Sequence, residues 1–321
     1  MPIAAFFVLY AFFTNVENAN NIINNSLRFC VNVLIPSIFP TMIFSSIILY
    51  TKAFEGFFDI TFKKRKTILG ICKNTFSLII LSSMSGFLCG PKLLCNNYEK
   101  NSINDNDFLN TVILSSNAGI GFLVNFIGIK MWGNVWFGVY LFLVQILSSM
   151  ILGNLILKRN SATQNTKILS TRLSFSNALS KSINDSSFSM ISICGFFVFF
   201  SLVCEILSFS FLPNVKIILK IIMEFCSGSV AIFSIENLFF RSFLCGFCFG
   251  FGGLCVHFQT FSICEKFPLS KLKFTLFKFI HGIMCGFLSF LFVFIFDIVP
   301  SNSAVTNCFN DTYSAGGSLI F

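Results

Sequence analysis

Ser85-Gly86-Phe87-Leu88-Cys89-Gly90-Pro91-Lys92 interrupts one apolar stretch long enough to cross a bilayer. Phe249-Gly250-Phe251-Gly252-Gly253-Leu254-Cys255 interrupts another. Each is followed by a polar stretch and then by an apolar span with a polar residue inside it, Asn117 in the first case and His281 in the second. At a constant offset of 164 residues, Gly86 falls on Gly250, Phe87 on Phe251, Thr111 on Thr275 and Asn117 on His281. Duplicated, glycine-interrupted membrane segments point to a transporter-like core with its site at the breaks.

Composition agrees with a membrane setting. The chain is 55% hydrophobic and 11% charged, with a mean hydropathy of +0.82, where a soluble domain carries about 25% charged residues. The 47 phenylalanines carry little functional weight, because low genomic GC favours Phe, Asn, Ile and Lys together. A net charge of +9 would suggest nucleic acid in a soluble protein. Here the lysines and arginines sit mostly in loops, where the positive-inside tendency accounts for them. The densest run, Lys63-Lys64-Arg65-Lys66, reads as a cytoplasmic loop near anionic headgroups. The 13 cysteines lie mostly in apolar segments. Cys245 and Cys248 form a C-x-x-C without a second pair at zinc spacing, so they read as small packing residues.

The pattern predicts an all-α polytopic membrane protein with about 7–8 transmembrane or re-entrant helices in two related halves. Residues 2–16 are a short apolar run without the flanks of a cleaved signal peptide. Spans are expected at 27–50, with Pro36 and Pro40, and at 74–95, 108–129 and 132–157, the last with Trp132 and Trp136 at an interface. In the second half they are expected at 188–212, 217–240, 242–264 and 274–299. The organisation is an N-terminal half (1–157, break near 82–92), a polar linker (158–187), a C-terminal half (188–299, break near 249–255) and a polar tail (300–321). Five crossings between the patterned segments would make the repeat inverted. The basic loops 51–73 and 158–187 then fall on opposite sides, unless 74–95 is re-entrant and the repeat parallel.

Broken helices persist in lipid only where protein or a watery cavity surrounds them. The candidate substrate-binding residues are therefore Gly86 and Gly90 in the first break and Gly252 and Gly253 in the second, with Gly228 in the segment between. Embedded polar or ionisable residues complete the set: Lys92, Asn117, Glu224, His257, Gln259 and His281. Glu224 offers a buried carboxylate to a cation, a proton, Lys92 or a histidine, whereas Glu205 reads as interfacial. No H-E-x-x-H, G-x-S-x-G or Walker loop is present, so the expectation is a non-enzyme without cofactor or structural metal.

Several motifs together resemble the nucleoside recognition (Gate) domain family, and within it the YlbJ-like sporulation integral membrane proteins. They are Pro36-Ser37-Ile38-Phe39-Pro40, Ser85-Gly86-Phe87 through Lys92, and Ser116-Asn117-Ala118-Gly119. In the second half they are Glu224 with Ser227-Gly228, and Gly250 through Gln259. The likeness covers about residues 27–298. Members often have Tyr-Pro where Phe87-Leu88 stands and a small residue in place of Pro91, a departure that bears on solute binding rather than architecture. The resemblance implies an inner-membrane protein of a low-GC, spore-forming Firmicute that acts in spore envelope assembly. Its fold would be related to the gate region of nucleoside transporters and ferrous-iron permeases. Two functions follow: a permease-like protein that moves or senses a small polar solute or ion, and a non-transporting scaffold for cortex or coat assembly. The expected partners are the lipid bilayer, such a solute and a second copy of the chain, but not nucleic acid.

Overall fold

A computed structural model of the chain describes residues 13, 16–53, 67–68, 71–99, 105–157, 172–208 and 212–296. The run at 2–12, the Lys63–Lys66 cluster, the stretch 158–171 and the tail 297–321 lie outside the described residues. Apart from an antiparallel pair of two-residue strands, Thr67–Ile68 and Ile71–Cys72, the described chain is helices and their connections.

Five helices are long and apolar enough to cross a membrane: Val16–Tyr50, Val135–Leu155, Phe175–Leu207, Leu238–Ile263 and Lys271–Phe296. Their outward faces carry large apolar side chains at helical spacing. Leu143, Leu147, Ile151 and Leu155 form one such stripe, and Phe287, Leu291 and Phe294 another. Water would not tolerate so much continuous apolar surface, whereas lipid tails cover it without cost. This is a multi-pass integral membrane protein.

The first long helix begins as α1 (Val16–Phe29), passes a π-turn at Cys30–Leu34 and continues as α2 (Ile35–Tyr50). Pro36 and Pro40 lie just beyond the π-turn; neither has an N–H for the helical ladder, and the wider turn accommodates the irregularity. Two interrupted segments follow. The first is α3 (Lys73–Ser85) and α4 (Cys89–Tyr98); the second is α5 (Asp105–Ser115) and a π-helix at Phe122–Met131. An unbroken α6 (Val135–Leu157) closes this half.

The second half has the same succession. A long α7 (Phe175–Ser208) is followed by α8 (Pro213–Met223) with α9 (Phe225–Ala231), then α10 (Leu238–Phe251) with α11 (Gly253–Ile263), and finally α12 (Lys271–Phe296). The order long, broken, broken, long thus occurs twice. The polar stretch expected as linker to residue 187 is helical from Phe175. Its Ser and Asn residues tolerate a helix whose inner face buries Ala178, Ser182, Ser186 and Ser189 against the fold.

Corresponding long helices of the two halves pack antiparallel. In the first long helix and α7, Tyr50 O at the end of α2 accepts the N–H of Leu173, just before α7, at 3.0 Å, while at the other end the rings of Phe29 in α1 and Phe197 in α7 lie 5.3 Å apart. In α6 and α12, the Tyr140 hydroxyl donates to Leu288 O at 2.6 Å, and Ser149 Oγ lies 3.2 Å from His281 Nε2.

Two expectations are corrected. Trp132 is not an interfacial anchor: it is fully buried, stacked on Phe137 at 3.7 Å. Trp136 is the exposed member of the pair. The segment expected as one span at 217–240 is instead doubled back. A Cβ at Gly228 would stand 2.7 Å from Ile221 Cα, so α8 and α9 lie side by side as a hairpin turning at Glu224.

Candidate functional site

The four interruptions meet in the middle of the fold. At the first, Gly86 has φ +110°, which L side chains rarely adopt. A Cβ there would come within 3.6 Å of the Gly119 backbone N, so the breaks at 86–88 and 116–119 lie against each other. In the second half Gly252 has φ +83°, and a Cβ added at Gly253 would meet Phe225 N at 3.2 Å and Glu224 Cα at 3.3 Å. The halves are joined through Phe87, whose ring would lie 3.0 Å from a Cβ at Gly252 and sits 5.3 Å from the Phe225 ring.

A small, partly open cavity lies at this junction. Its walls come from both halves: Ser85, Gly86 and Phe87 from the first break, Ala118 and Gly119 from the second, Ile193 from α7, Phe225 from the hairpin, and Val256 and Gln259 from α11. Leu88, Cys89 and Phe122, with Ile38 and Met42 of α2, complete it. The lining is mainly apolar, with the Gln259 amide and the Ser85 hydroxyl as its polar side chains.

Of the sequence candidates, Gly86 and Gln259 line the cavity, and Gly252 backs its Phe87 wall. Gly90 and Gly228 serve close packing instead, with added Cβ atoms 2.3 Å from Ser115 Oγ and 2.7 Å from Ile221 Cα. Lys92 donates to Ser189 Oγ on α7 at 2.5 Å. Glu224 is completely buried and caps α9, its Oε2 accepting the Ser227 N–H at 2.6 Å. Its Oε1 is buried without a hydrogen-bond partner. Pairing of Glu224 with Lys92 is therefore not the arrangement found. Glu205 pairs with Lys220 of the hairpin at 2.5 Å. His257 Nδ1 lies 2.7 Å from Gly253 O, a contact that needs an N–H on that nitrogen because a carbonyl only accepts. Its Nε2 is buried without a partner.

Asn117 and His281 belong to one buried polar network. The Asn117 amide donates to Ser83 Oγ and Leu114 O, both at 3.0 Å, and its Oδ1 accepts from Ser149 Oγ at 3.3 Å. The free backbone N–H of Ala118, left by the break, donates to Gln145 Oε1 at 2.8 Å. His281 continues the chain through Ser149 Oγ and Gln145 O. Lys278 ends it, fully buried in α12, with its Nζ donating to Ser116 O at 2.6 Å. Lys278, Gln145 and Ser149 were not among the sequence candidates. Lys278 carried a usable signal: it is a charge within an apolar span, which is rare in membrane helices and faces the protein interior.

Cys245 and Cys248 are buried free thiols, and Cys248 Sγ donates to Phe225 O at 3.4 Å. Among the described residues no group of three His, Cys, Asp or Glu side chains is placed to hold a metal ion. A comparison of the chain with protein-family models, curated proteins and solved structures gives no match.

Proposed function

We propose that this is a permease-like protein whose two halves form an inverted repeat around a solute site at the paired breaks. The observation that carries the reading is the cavity built jointly by chain interruptions from both halves. Four further facts support it. The succession of elements recurs, the corresponding helices run antiparallel, and equivalent interruptions pack against each other in each half. The segment 213–234 also turns back within the fold. If 73–98 is its counterpart and likewise re-entrant, each half contributes three crossings, and an odd number inverts the second half.

This repeat pairs 73–98 with 213–234 and 105–131 with 238–263, a register different from the 164-residue offset. Glycines recur at breaks for backbone reasons alone, so matching glycines does not set the register. The same arrangement removes the conflict between the basic loops. Lys52, Arg172, Lys266, Lys271 and Lys273 then share one face of the membrane. That face is assigned to the cytoplasm. Single cysteines at Arg172 and Lys266 are expected to be shielded from a membrane-impermeant maleimide in intact cells. Cysteines at Asn214 and Glu236 are expected to react with it. Labelling of all four from one side would rule out the arrangement.

The cavity's chemistry points to a small, neutral, partly apolar solute with one or two hydrogen-bonding groups, rather than a bare ion. Its polar side chains are an amide and a hydroxyl, and no charged side chain lines it. Action in spore formation, in the cell membrane of a spore-forming Firmicute, rests on the family resemblance. Thermal shift of the purified protein against nucleosides and other small neutral metabolites tests the solute site. A stabilising compound is expected to lose at least tenfold in apparent affinity in Gln259→Leu. Full retention there, or no stabilisation by any compound, would favour the scaffold reading.

A further inference from the structure

We propose that Lys278 and His281 form a proton-binding pair in the membrane core, holding between them a single positive charge that either residue can carry. The inference depends on the membrane setting and not on a solute in the cavity. Lys278 Nζ lies 3.2 Å from His281 Nδ1. That ring nitrogen is also 3.0 Å from Gly250 O, and Nε2 is 3.1 Å from Gln145 O. A carbonyl oxygen accepts hydrogen bonds and cannot donate, so each nitrogen faces a group that asks it for a proton. A neutral imidazole has one N–H and satisfies one of them; an imidazolium satisfies both.

Two states with the same total charge fit this geometry. In the first, Lys278 is an ammonium donating to Ser116 O and to bare Nδ1, while Nε2–H serves Gln145 O. In the second, one proton has moved from Nζ to Nδ1. The imidazolium then donates to Gln145 O from Nε2, and to Gly250 O or the amine lone pair from Nδ1. The neutral amine still donates to Ser116 O. Nothing else is made or broken. Both residues cannot be charged together at 3.2 Å in a buried interior, because the repulsion is too large.

The surroundings leave the charge no other owner. On α12 itself Cys285 Sγ lies 3.6 Å from His281 Nε2. α11 holds His257 within electrostatic range of Lys278, and α6 contributes Tyr140, whose hydroxyl is engaged by Leu288 O. From α10 the contact is the Gly250 carbonyl, its thiol at Cys248 being turned to Phe225 O. The carboxylates of α5, Asp105 and Asp107, stand at its opposite end from Ser116. Among the described residues no carboxylate oxygen lies within ion-pair distance of either member. The Ser116 carbonyl that holds Lys278 belongs to the α5 break, and the Lys278 Nζ lies 5.9 Å from the centre of the Phe87 ring. Moving the charge to His281 therefore alters the field at the cavity wall.

The test is 15N NMR of detergent-solubilised full-length protein labelled at Lys and His, recorded from about pH 5.5 to 9. Lys278 is assigned by loss of its signal in Lys278→Met, and in Lys278→Arg should that variant not fold. The Lys278 amine and His281 ring signals are expected to move together with one midpoint, as coupled sites do. In His281→Leu, which removes both the Nδ1 acceptor and the second seat for the proton, the Lys278 midpoint is expected to fall by about one pH unit, a tenfold loss in proton affinity. Independent midpoints overturn the proposal. So do an ammonium and a neutral ring unchanged across the range, or a Lys278 midpoint that stays or rises in His281→Leu.

Discussion

Gly138→Leu is expected to keep the protein from reaching a stable folded state in detergent, with a loss of about 3 kcal/mol or more. A Cβ at Gly138 would stand 2.4 Å from Leu123 O and 2.8 Å from Val124 Cα, so α6 crosses the π-helix backbone to backbone. No flexible side chain is there to move aside, and the helices must separate or shift. Membrane helices gain most from such close approach, since lipid offers no hydrophobic drive for association. Gly195 on α7 supplies the control: nothing lies within 4 Å of its added Cβ. Gly195→Ala is expected to be neutral or to stabilise by about 0.5–1 kcal/mol through helix propensity. Equal melting temperatures for the two variants would mean that the α6 crossing is not as close as described.

Glu224→Ala is expected to cost about 2 kcal/mol, and Glu224→Gln much less. The alanine removes the cap of α9 and leaves the half-buried Ser227 N–H without its 2.6 Å acceptor. Glutamine keeps a carbonyl oxygen at the same place. Glu224 also lies against the Gly252-Gly253 break, so loosening the hairpin turn should loosen the cavity wall at Phe225. Thermal melting ranks the variants, and hydrogen exchange at the Ser227 amide locates the effect. Exchange there unchanged in Glu224→Ala would show that the carboxylate does not hold the turn.

Much of the candidate site could be read from residues alone, and the reason is local. Gly86, Gly252 and Gly253 stand out because a left-handed backbone in an apolar span needs glycine. Asn117, Glu224 and His281 stand out because polar groups in lipid are costly and must find partners. Other parts were hidden for equally physical reasons. The run 217–240 is continuously apolar apart from a few residues, and hydropathy does not distinguish one crossing from a hairpin of half that depth. Lys278 lies between Phe277 and Phe279, in a helix whose other face meets lipid. Gln145 and Ser149 look like incidental polar residues of a plain span until Ala118 and Asn117 are placed beside them. Trp132 was misplaced because a tryptophan at a span end usually meets headgroups, whereas here Phe137 and Phe233 enclose it.

Residue types alone settle the solvent and the punctuation: an all-helical chain in a bilayer, broken where glycine and proline stand. Those properties depend on residue type and on neighbours within a few turns. The antiparallel pairing of α2 with α7 and α6 with α12, the meeting of four breaks around one cavity, and the contact of Lys278 with Ser116 were decided only by the tertiary structure. Each depends on which surfaces well separated in the chain find a close enough fit, and that fit is set by packing rather than by local pattern.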